Sequence, residues 1–388
     1  MRIGIDAHFL EKHYGGLTTF LKGILKEIPE VDRQNEYFLF FQHFKPVKLV
    51  KQFKLNEQLN KLNQLKKLNK LNWLRWFHFV LPRQLKEHKI DLFFSPNHFL
   101  PILKVTKKEV VVIHDLAWKV NPALKNFSYR AYANIFQGRV IQRADKIIVD
   151  SENTKKDVMK YYSINELTSS NVNELEKKIE IVYLAADERF KARSISELNN
   201  SRVEELKNKY GLPEKFILYV GRIEERKNIK TVLKVIKYLS RLNKLRDLKL
   251  VMVGKIGAGG EKYLKEIKEN QDILWLNGVS DENLPYIYNL AKIFLFPSFY
   301  EGFGLTVLEA MQSGVPVLTS NTSSLPEVVG DGGLMRDPED YKGFAKDIMR
   351  LLEDKKFCQE MRQKGIEQAK KFNWRTTTEK LVKIFDKI

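Results

Sequence analysis

Short apolar runs alternate with amphipathic segments along most of the chain. We interpret the runs as strands, namely Ile3–Ile5, Tyr37–Phe41, Asp91–Phe94, Glu109–Ile113, Lys146–Val149, Ile179–Tyr183, Phe216–Val220, Leu248–Val253, Ile273–Leu276, Ile293–Phe296 and Val315–Leu318. Segments with helical periodicity lie between them, among them Leu17–Ile28 and Tyr129–Arg143. The polar, Asn- and Ser-rich residues 163–178 instead predict a surface loop. Strands that alternate with helices are typical of parallel sheets covered by helices, so the pattern predicts an α/β protein.

The predicted strands are too many for a single sheet, and we expect two doubly wound, Rossmann-like domains. The boundary falls near Ala185–Lys191, before a polar stretch that carries no strand pattern. This division predicts a first domain over 1–186, a second over 187–372, and a terminal helix over 373–388 that Trp374 anchors. Doubly wound sheets bind ligands at the carboxyl ends of their strands, so a site would lie in the cleft where the two domains face each other.

Composition places the chain in a reducing compartment. Its 388 residues are enough for two cores, and they include one cysteine, Cys358. A single cysteine excludes an intramolecular disulfide. The amino terminus MRIGIDAHFL lacks the apolar core of a secretory signal, and no apolar run reaches the roughly 18 residues that a membrane-spanning helix needs. We therefore expect a cytoplasmic protein that is soluble or peripheral at the inner face of the membrane.

The formal net charge of +19 indicates an anionic partner, which could be nucleic acid, lipid or a phosphorylated substrate. Basic residues concentrate between Lys45 and Lys89, where twelve Lys and Arg face only Glu57 and Glu87. Apolar residues at spacings of three and four accompany them, namely Leu55, Leu59, Leu62, Leu65, Leu68 and Leu71, followed by Trp73, Trp76, Phe77 and Phe79. This pattern predicts a basic amphipathic helix with interfacial aromatics, which either docks on an anionic membrane or packs on the first domain.

The most informative segment is EGFGLTVLEAMQSGVP, which begins at Glu301. The predicted strand before it stops at Pro297, and helical periodicity begins near Leu305, so a loop between them opens a helix. Gly302 and Gly304 have no Cβ atoms, and they let free backbone N–H groups approach phosphate or sugar oxygens. The sequence therefore predicts an anion-binding helix start.

Two carboxylates flank this helix start, Glu301 directly before the glycines and Glu309 just inside the helix. They would not suit a phosphate alone. They suit a ligand that carries hydroxyl donors as well as phosphates, which describes a nucleotide sugar. The structural alternative is a helix that begins with favourable acidic residues, but this alternative leaves the paired glycines unexplained.

Two cations follow the predicted strand Phe216–Val220 in the sequence GRIEERKNI. Arg222 and Lys227 leave the carboxyl end of that strand, before a helix that we expect to begin near Asn228. Together they could neutralise a diphosphate and stabilise the charge that develops on it as a glycosidic bond breaks. The alternative is ordinary surface charge in a basic protein.

Candidate residues of the first domain carry weaker signals. Gly15 and Gly16 follow the first strand without a full dinucleotide fingerprint, and they either point backbone N–H groups at a ligand or form an ordinary turn. His114 and Asp115 end another strand, where the histidine could bind a sugar hydroxyl or serve as a structural side chain. No Asp-x-Asp pair, His-Glu-x-x-His pattern or His/Cys cluster with metal spacing occurs in a plausible place, so we expect no metal or other cofactor.

The segment PSFYEGFGLTVLEAMQSGVPVLTSNTSSLPEVVGDGG, residues 297–333, resembles the signature of retaining glycosyltransferases of the GT-B fold, family GT4. The similarity covers most of the chain and thins at 45–89 and around 163–178. It implies a donor diphosphate held by Arg222 and Lys227, ribose hydroxyls bound by Glu309, and a terminal helix that crosses back onto the first domain. From the sequence pattern and the resemblance together, we predict donor-binding residues at Gly15, Gly16, Arg222, Lys227, Gly254, Glu301, Gly302, Phe303, Gly304, Leu305 and Glu309. Gly254 is included because it ends a predicted strand of the second domain. The predicted catalytic residues are His114, Arg222, Lys227 and Glu301.

The resemblance is strongest to bacterial mannosyltransferases that use GDP-mannose to extend surface polysaccharides, lipopolysaccharide included. It implies transfer of a hexosyl residue, with retention, to a saccharide or lipid-linked acceptor. Because we find no metal motif, we expect this transfer to be metal-independent, with Arg222 and Lys227 in the place of a divalent cation. Glu301 would act as nucleophile or hold donor hydroxyls, and we favour the second role. A UDP-sugar of glucose, galactose or N-acetylglucosamine is the alternative donor. A nucleotide-sugar epimerase and a nucleic-acid-binding protein are rivals, but the glutamate segment argues against the first, and the second would need a nucleic-acid motif that we do not find.

Overall fold

The structure, a computed structural model, describes residues 1–11, 15–49, 72–120, 127–163, 169–193, 200–242 and 247–388. The chain divides into two compact units. The first comprises Met1–Lys119, Asn126–Ala185 and Asn373–Ile388 as far as they are described, and the second is formed mainly by Ala186–Phe372. Each unit is built around its own sheet, with seven described strands in the first and six in the second.

The sheet of the first unit is doubly wound. Its strands are β1 (Arg2–Asp6), β2 (Glu36–Phe40), β3 (Val47–Leu49), β4 (Leu92–Ser95), β5 (Lys108–Ile113), β6 (Lys146–Val149) and β7 (Ile179–Ile181). They lie in the order β3-β2-β1-β4-β5-β6-β7, and all pairs are parallel except β2 with β3. After β3 the chain crosses back to the other side of β1 and continues with β4. The strand order therefore reverses between β1 and β4, which form the topological switch point where such sheets bind ligands.

Helices cover this sheet. They are α1 (Gly16–Val31), α2 (Trp73–Arg75), α3 (Leu81–Glu87), α4 (Ala117–Val120), α5 (Phe127–Arg143), α6 (Glu152–Ser163) and α7 (Ser169–Lys178), with a 3₁₀ turn at His8–Leu10 and a π turn at Trp76–Val80. Helix α1 shows the pattern that fixes its place, because Phe20, Ile24 and Ile28 recur every four residues and all three are buried. The amphipathic stripe therefore faces the sheet.

The sheet of the second unit repeats this winding. Its strands are β8 (Phe216–Val220), β9 (Lys249–Val253), β10 (Ile273–Leu276), β11 (Ile293–Phe296), β12 (Val317–Ser320) and β13 (Leu334–Arg336). They are parallel and lie in the order β10-β9-β8-β11-β12-β13. The central pair, β8 and β11, is the switch point of this sheet, and both strands consist of buried apolar residues.

The helices of the second part of the chain are α8 (Asn200–Tyr210), α9 (Ile229–Arg241), α10 (Leu264–Glu269), α11 (Leu284–Leu290), α12 (Leu305–Gln312), α13 (Leu325–Val329), α14 (Tyr341–Glu353), α15 (Lys355–Ala369) and α16 (Trp374–Asp386). Short 3₁₀ turns lie at Glu188–Phe190, Glu225–Lys227, Glu261–Tyr263 and Gly330–Gly332. Helix α9 begins after Asn228, whose side chain accepts a hydrogen bond from the N–H of Thr231 and thereby caps the helix.

The last helix, α16, packs on α1 within the first unit. Trp374 is buried at its first turn, and its indole lies directly over Gly23 of α1. The hydroxyl of Thr377 also donates to the carbonyl oxygen of Tyr183. A glycine in the middle of α1 costs helix propensity, but here it makes room for the largest side chain in the contact.

The strand predictions are confirmed, since each predicted run overlaps a strand, but the sequence missed β3 and β13. The surface-loop prediction for 163–178 is wrong over Ser169–Lys178, which form α7; residues 164–168 lie outside the described residues. Tertiary contacts explain the difference, because Leu175 is buried and the Lys178 ammonium donates to the carbonyl oxygen of Gln142. Packing thus outweighs the weak helix propensity of Asn and Ser.

The prediction of interfacial aromatics in the basic segment is wrong in part. The leucines of 51–71 lie outside the described residues, but Trp76 and Phe77 do not form an interfacial belt, because they are buried in the first-unit core with 1% and 0% exposure. Phe79 is exposed. None of the helices in the described ranges combines the length and the apolar character that crossing a membrane requires.

We predict that Gly23→Ala destabilises the protein, because the new methyl group would lie 2.2 Å from the indole of Trp374. Overpacking of this kind should lower the free energy of unfolding by about 1–3 kcal/mol. Chemical denaturation measures the change. Gly138→Ala in α5 is the matched control, since no heavy atom lies within 4 Å of its added Cβ and its helix propensity improves. Equal effects of the two substitutions would contradict the packing that we describe.

Candidate active site

The candidate site lies at the carboxyl ends of β8 and β11, the switch point of the second sheet. Lys227 follows β8 in a 3₁₀ turn, and Glu301 follows β11 in the loop before α12. Neighbouring parallel strands end at the same edge of a sheet, so the fold brings these two predicted residues together although they are far apart in sequence.

Glu301 and Lys227 form a buried ion pair. The Lys227 Nζ lies 2.6 Å from Oε1 and 2.7 Å from Oε2 of Glu301, and the Ser298 hydroxyl donates to Oε1 at 2.7 Å. Glu301 is only 7% exposed, and the Lys227 ammonium also lies 4.9 Å from the ring centroid of Phe296. The carboxylate therefore has donors on both oxygens.

Arg226 completes the network, and it is not among the residues predicted from the sequence. Its guanidinium donates to the carbonyl oxygen of Tyr300 at 2.6 Å, to Oε2 of Glu301 at 3.2 Å and to Oε1 of Glu224 at 2.9 Å. A signal was present in the sequence GRIEERKNI, where Glu225, Arg226 and Lys227 follow one another shortly after a buried strand. In such a charged run, however, periodicity does not show which side chains turn inward.

The network sets the protonation of its members. Burial alone would raise the pKa of Glu301, but the charges of Lys227 and Arg226 outweigh it and hold the pKa below its usual value. Burial lowers the pKa of Lys227, the nearby Arg226 lowers it further, and the Glu301 carboxylate opposes both. An ionised carboxylate is thus maintained inside the fold.

The loop between β11 and α12 is held by hydrogen bonds. The Ser324 hydroxyl bonds to the carbonyl oxygens of Glu301 and Phe303, and the Glu301 N–H donates to the Ser323 hydroxyl at 2.9 Å. Gly304 has a φ of 112° at the N-cap of α12, a conformation that other residues rarely adopt. The helix begins at Leu305 as predicted, while Gly302 and Phe303 are buried.

Glu309 has a different environment from Glu301. It lies half-buried in α12, and the Tyr288 hydroxyl is 3.0 Å from its Oε2. Burial raises the pKa of Glu309 to about 8, although the hydrogen bond from Tyr288 opposes the shift. The Tyr288 hydroxyl also lies 3.3 Å from the carbonyl oxygen of Thr306. The raised pKa favours the protonated form of Glu309 at neutral pH.

Two further predicted residues of this unit, Arg222 and Gly254, do not join the Glu301 network. The side chain of Arg222 is exposed, and no hydrogen bond or ion pair joins it to Glu301 among the residues that the structure describes. Gly254, at the end of β9, lies against the carbonyl oxygen of Gly221, which an added Cβ would meet at 2.0 Å. Its N–H donates to Leu276 and its carbonyl oxygen accepts from the Trp275 indole, so both backbone groups are engaged.

In the first unit, His114 directly follows β5 and pairs with Asp150, which directly follows β6. Nδ1 lies 2.6 Å from Oδ2 of Asp150, and Nε2 lies 3.0 Å from the carbonyl oxygen of Pro96. The carbonyl can only accept, so Nε2 carries a hydrogen. Burial lowers the pKa of His114, but the Asp150 charge outweighs burial and the net pKa is raised. Both ring nitrogens are therefore occupied within the protein.

The glycines predicted at the first strand lie at the start of α1. Gly15 has a φ of 61° and is the N-cap of the helix, which begins at Gly16; both residues are exposed. An exposed helix start is compatible with an anion-binding role. Among the described residues no cluster of three or more His, Cys, Asp or Glu side chains could hold a metal ion, and metal independence stays a prediction.

Comparison with known proteins places this architecture among the glycosyltransferases. Residues 202–372 match the family "Glycosyl transferases group 1", and residues 14–169 match "Glycosyltransferase Family 4". The chain is 30% identical over 305 residues to the O-antigen chain mannosyltransferase B of Escherichia coli, covering 78% of this chain and 75% of that protein. The chain therefore belongs to the glycosyl transferases group 1.

Two further proteins show how far the similarity reaches. The serotype-specific mannosyltransferase WbdA of Escherichia coli is 29% identical over 74% of this chain, which spans 34% of that protein. The structure of Anabaena Alr3699/HepE in complex with UDP-glucose superposes with a TM-score of 0.69 at 16% identity and covers 100% of both chains. This likeness confirms the GT-B fold that the sequence predicts.

We predict that Glu309→Gln stabilises the protein in a pH-dependent way. A folded-state pKa near 8 lies above the unfolded value, so Glu309 costs stability increasingly as pH rises from about 4.5 to 8. The substitution should therefore raise the free energy of unfolding by roughly 1–3 kcal/mol at pH 8 and by little at pH 5. Unfolding at both pH values measures the gain. Glu282→Gln, the same change at an exposed site, should show no such trend, and a pH-independent gain would contradict the protonated Glu309.

Proposed function

We propose that this protein transfers mannose from GDP-mannose, with retention, to a saccharide or lipid-linked saccharide acceptor in surface polysaccharide synthesis. The observation that carries the proposal is the arrangement at the end of β8 and β11, where Lys227, Glu301 and the start of α12 converge. A cation and a helix start suit a diphosphate, while carboxylates suit hydroxyl groups. A nucleotide sugar offers both kinds of group.

The choice of donor is supported by the two Escherichia coli relatives, which are described as an O-antigen chain mannosyltransferase and a serotype-specific mannosyltransferase. A UDP-sugar is the alternative, because HepE, which shares the fold, binds UDP-glucose. Glu309 would accept hydrogen bonds from ribose hydroxyls in either case, and it must lose its proton to do so. Nucleotide binding would then release a proton at neutral pH.

In the proposed reaction, the bond between the sugar C1 and the diphosphate oxygen breaks, and a bond from C1 to the acceptor oxygen forms on the same face. The acceptor proton passes to the leaving diphosphate. Lys227 and Arg222 would stabilise the charge of the diphosphate without a metal. Glu301 would hold donor hydroxyls. His114 takes part only if its Nε2 exchanges the carbonyl oxygen of Pro96 for a substrate oxygen.

The basic segment 45–89 is our proposed contact with an anionic membrane, where a lipid-linked acceptor would be found. In its described part, exposed Phe79 lies among the exposed cations Arg75 and Arg83. Such a mixture of apolar and basic groups suits the headgroup region. Co-sedimentation with vesicles that contain anionic lipid tests the contact, and equal partitioning to neutral vesicles would contradict it.

The proposed donor can be tested with a thermal-shift panel of UDP, GDP, ADP, CMP and their sugar conjugates. A ligand that binds only the folded state raises the midpoint of unfolding. We expect GDP and GDP-mannose to raise it selectively at about millimolar concentration. Selectivity for UDP and its sugars would keep the enzyme class and change the donor. No shift with any nucleotide would overturn the proposed function.

We further predict that Glu301→Gln lowers the rate of sugar transfer by about 100-fold or more, because the neutral amide cannot strengthen its hydrogen bonds to a donor that develops charge. Binding of the nucleoside diphosphate should be retained, since Lys227 is then freed from its carboxylate. Transfer kinetics and titration calorimetry separate the two effects. Parallel loss of transfer and binding would show that Glu301 does not act on the sugar.

A further inference from the structure

Lys227 has two tasks that conflict in this structure. The proposed function, on which this inference rests, requires its ammonium at the donor diphosphate. In the structure the same ammonium lies on both oxygens of the Glu301 carboxylate, at 2.6 and 2.7 Å. If Lys227 turned toward a phosphate, Glu301 would lose its closest cation in a position that is only 7% exposed. A buried carboxylate without a counter-ion is strongly unfavourable.

Arg226 is placed to resolve this conflict. Its guanidinium already contacts Oε2 of Glu301 at 3.2 Å, on a carboxylate whose other oxygen accepts from Ser298. With these two donors in place, each oxygen of Glu301 keeps a hydrogen bond after Lys227 leaves.

The surroundings also fix Arg226 in this position. Its guanidinium is held by the carbonyl oxygen of Tyr300 and by the Glu224 carboxylate, which is itself buried. Its own carbonyl oxygen accepts from the N–H of Phe299 at 3.0 Å. Arg226 therefore bridges the segment after β8 to the loop after β11 at both its main chain and its side chain. A planar fork held on three acceptors is well suited to stay in place while a flexible lysine moves.

We propose that Arg226 is a positioning residue that remains on Glu301 as its permanent counter-ion and thereby allows Lys227 to transfer from Glu301 to the donor diphosphate. Glu224 holds Arg226 in this orientation. Arg226 does not touch the donor in this role. It acts on binding through the charge of Glu301.

The proposal makes a specific prediction for Arg226→Gln. Without the arginine, movement of Lys227 would leave the buried Glu301 carboxylate without a counter-ion. Lys227 therefore stays on the carboxylate, and the affinity for GDP falls by about tenfold or more. Arg226→Lys, which keeps a cation, should recover part of the affinity. In a Glu301→Gln background there is no charge to compensate, so Arg226→Gln should change the affinity for GDP less than about twofold.

A double-mutant cycle compares wild type, Arg226→Gln, Glu301→Gln and the double variant. Titration calorimetry measures the affinity of each for GDP, or for the nucleoside diphosphate that wild type binds best. Equal losses in both backgrounds would overturn the proposal, since they would indicate a direct phosphate contact or a general structural role. No loss in either background would overturn it as well. Wild type that binds no nucleoside diphosphate would instead refute the proposed function, so the two failures are distinguishable.

A matched control separates loss of affinity from loss of stability. Arg336 donates to both oxygens of the buried Asp347 in the same unit, at 2.7 and 2.8 Å, and takes no part in the candidate site. Arg336→Gln should lower the midpoint of unfolding but leave the affinity for GDP within about twofold. If it weakens binding as much as Arg226→Gln does, the effect of Arg226 is general destabilisation and the proposal fails.

Discussion

The buried ion pair of Lys227 with Glu301 is the interaction on which the proposed donor site depends. A buried charge without a counter-ion is strongly unfavourable, and in this structure the Lys227 ammonium lies within 2.7 Å of both carboxylate oxygens of Glu301. The pair exists because β8 and β11 are neighbours at the centre of the sheet, so the two segments that follow them meet at one edge. Sheet topology thus determines where the charges converge, and Ser298 and Arg226 determine how they are oriented.

Two glutamates eight positions apart have opposite electrostatic environments. Glu301 is surrounded by cations, which outweigh its burial and lower its pKa. Glu309 contacts the Tyr288 hydroxyl, and burial raises the pKa of Glu309 to about 8. Environments that separate the pKa values of two carboxyl groups commonly separate their roles. In our proposal the ionised Glu301 accepts hydrogen bonds from hydroxyls of the donor sugar, and Glu309 accepts hydrogen bonds from the ribose hydroxyls after it loses its proton.

The sequence predicted the strands well because buried parallel strands are short, continuous apolar runs. It missed β3 and β13, which each contain a charged residue and are mostly only partly buried, so that they form no continuous apolar run. It also missed α7, whose polar residues become helical through packing of Leu175. The alternation of strands and helices predicted doubly wound sheets but not the order of their strands. Strand order and register depend on side-chain packing between segments that are distant in sequence.

The candidate site was predicted only in part, for the same reason. Glu301, Lys227 and the glycines have recognisable spacing, but Arg226 and Glu224 lie in a run of consecutive polar residues, 224–228, that has no periodicity. Asp150, the partner of His114, could have been found, since it follows a buried strand next to β5. Arg222 had the better sequence signal than Arg226, yet its side chain is exposed while that of Arg226 contacts Glu301.

The most direct measurement is a structure of the protein with a bound nucleoside diphosphate. The account predicts that the Lys227 Nζ moves to within about 3 Å of a phosphate oxygen, while Arg226 stays on Oε2 of Glu301. A complex in which Lys227 still contacts both oxygens of Glu301, and the diphosphate lies on other residues, would contradict the account.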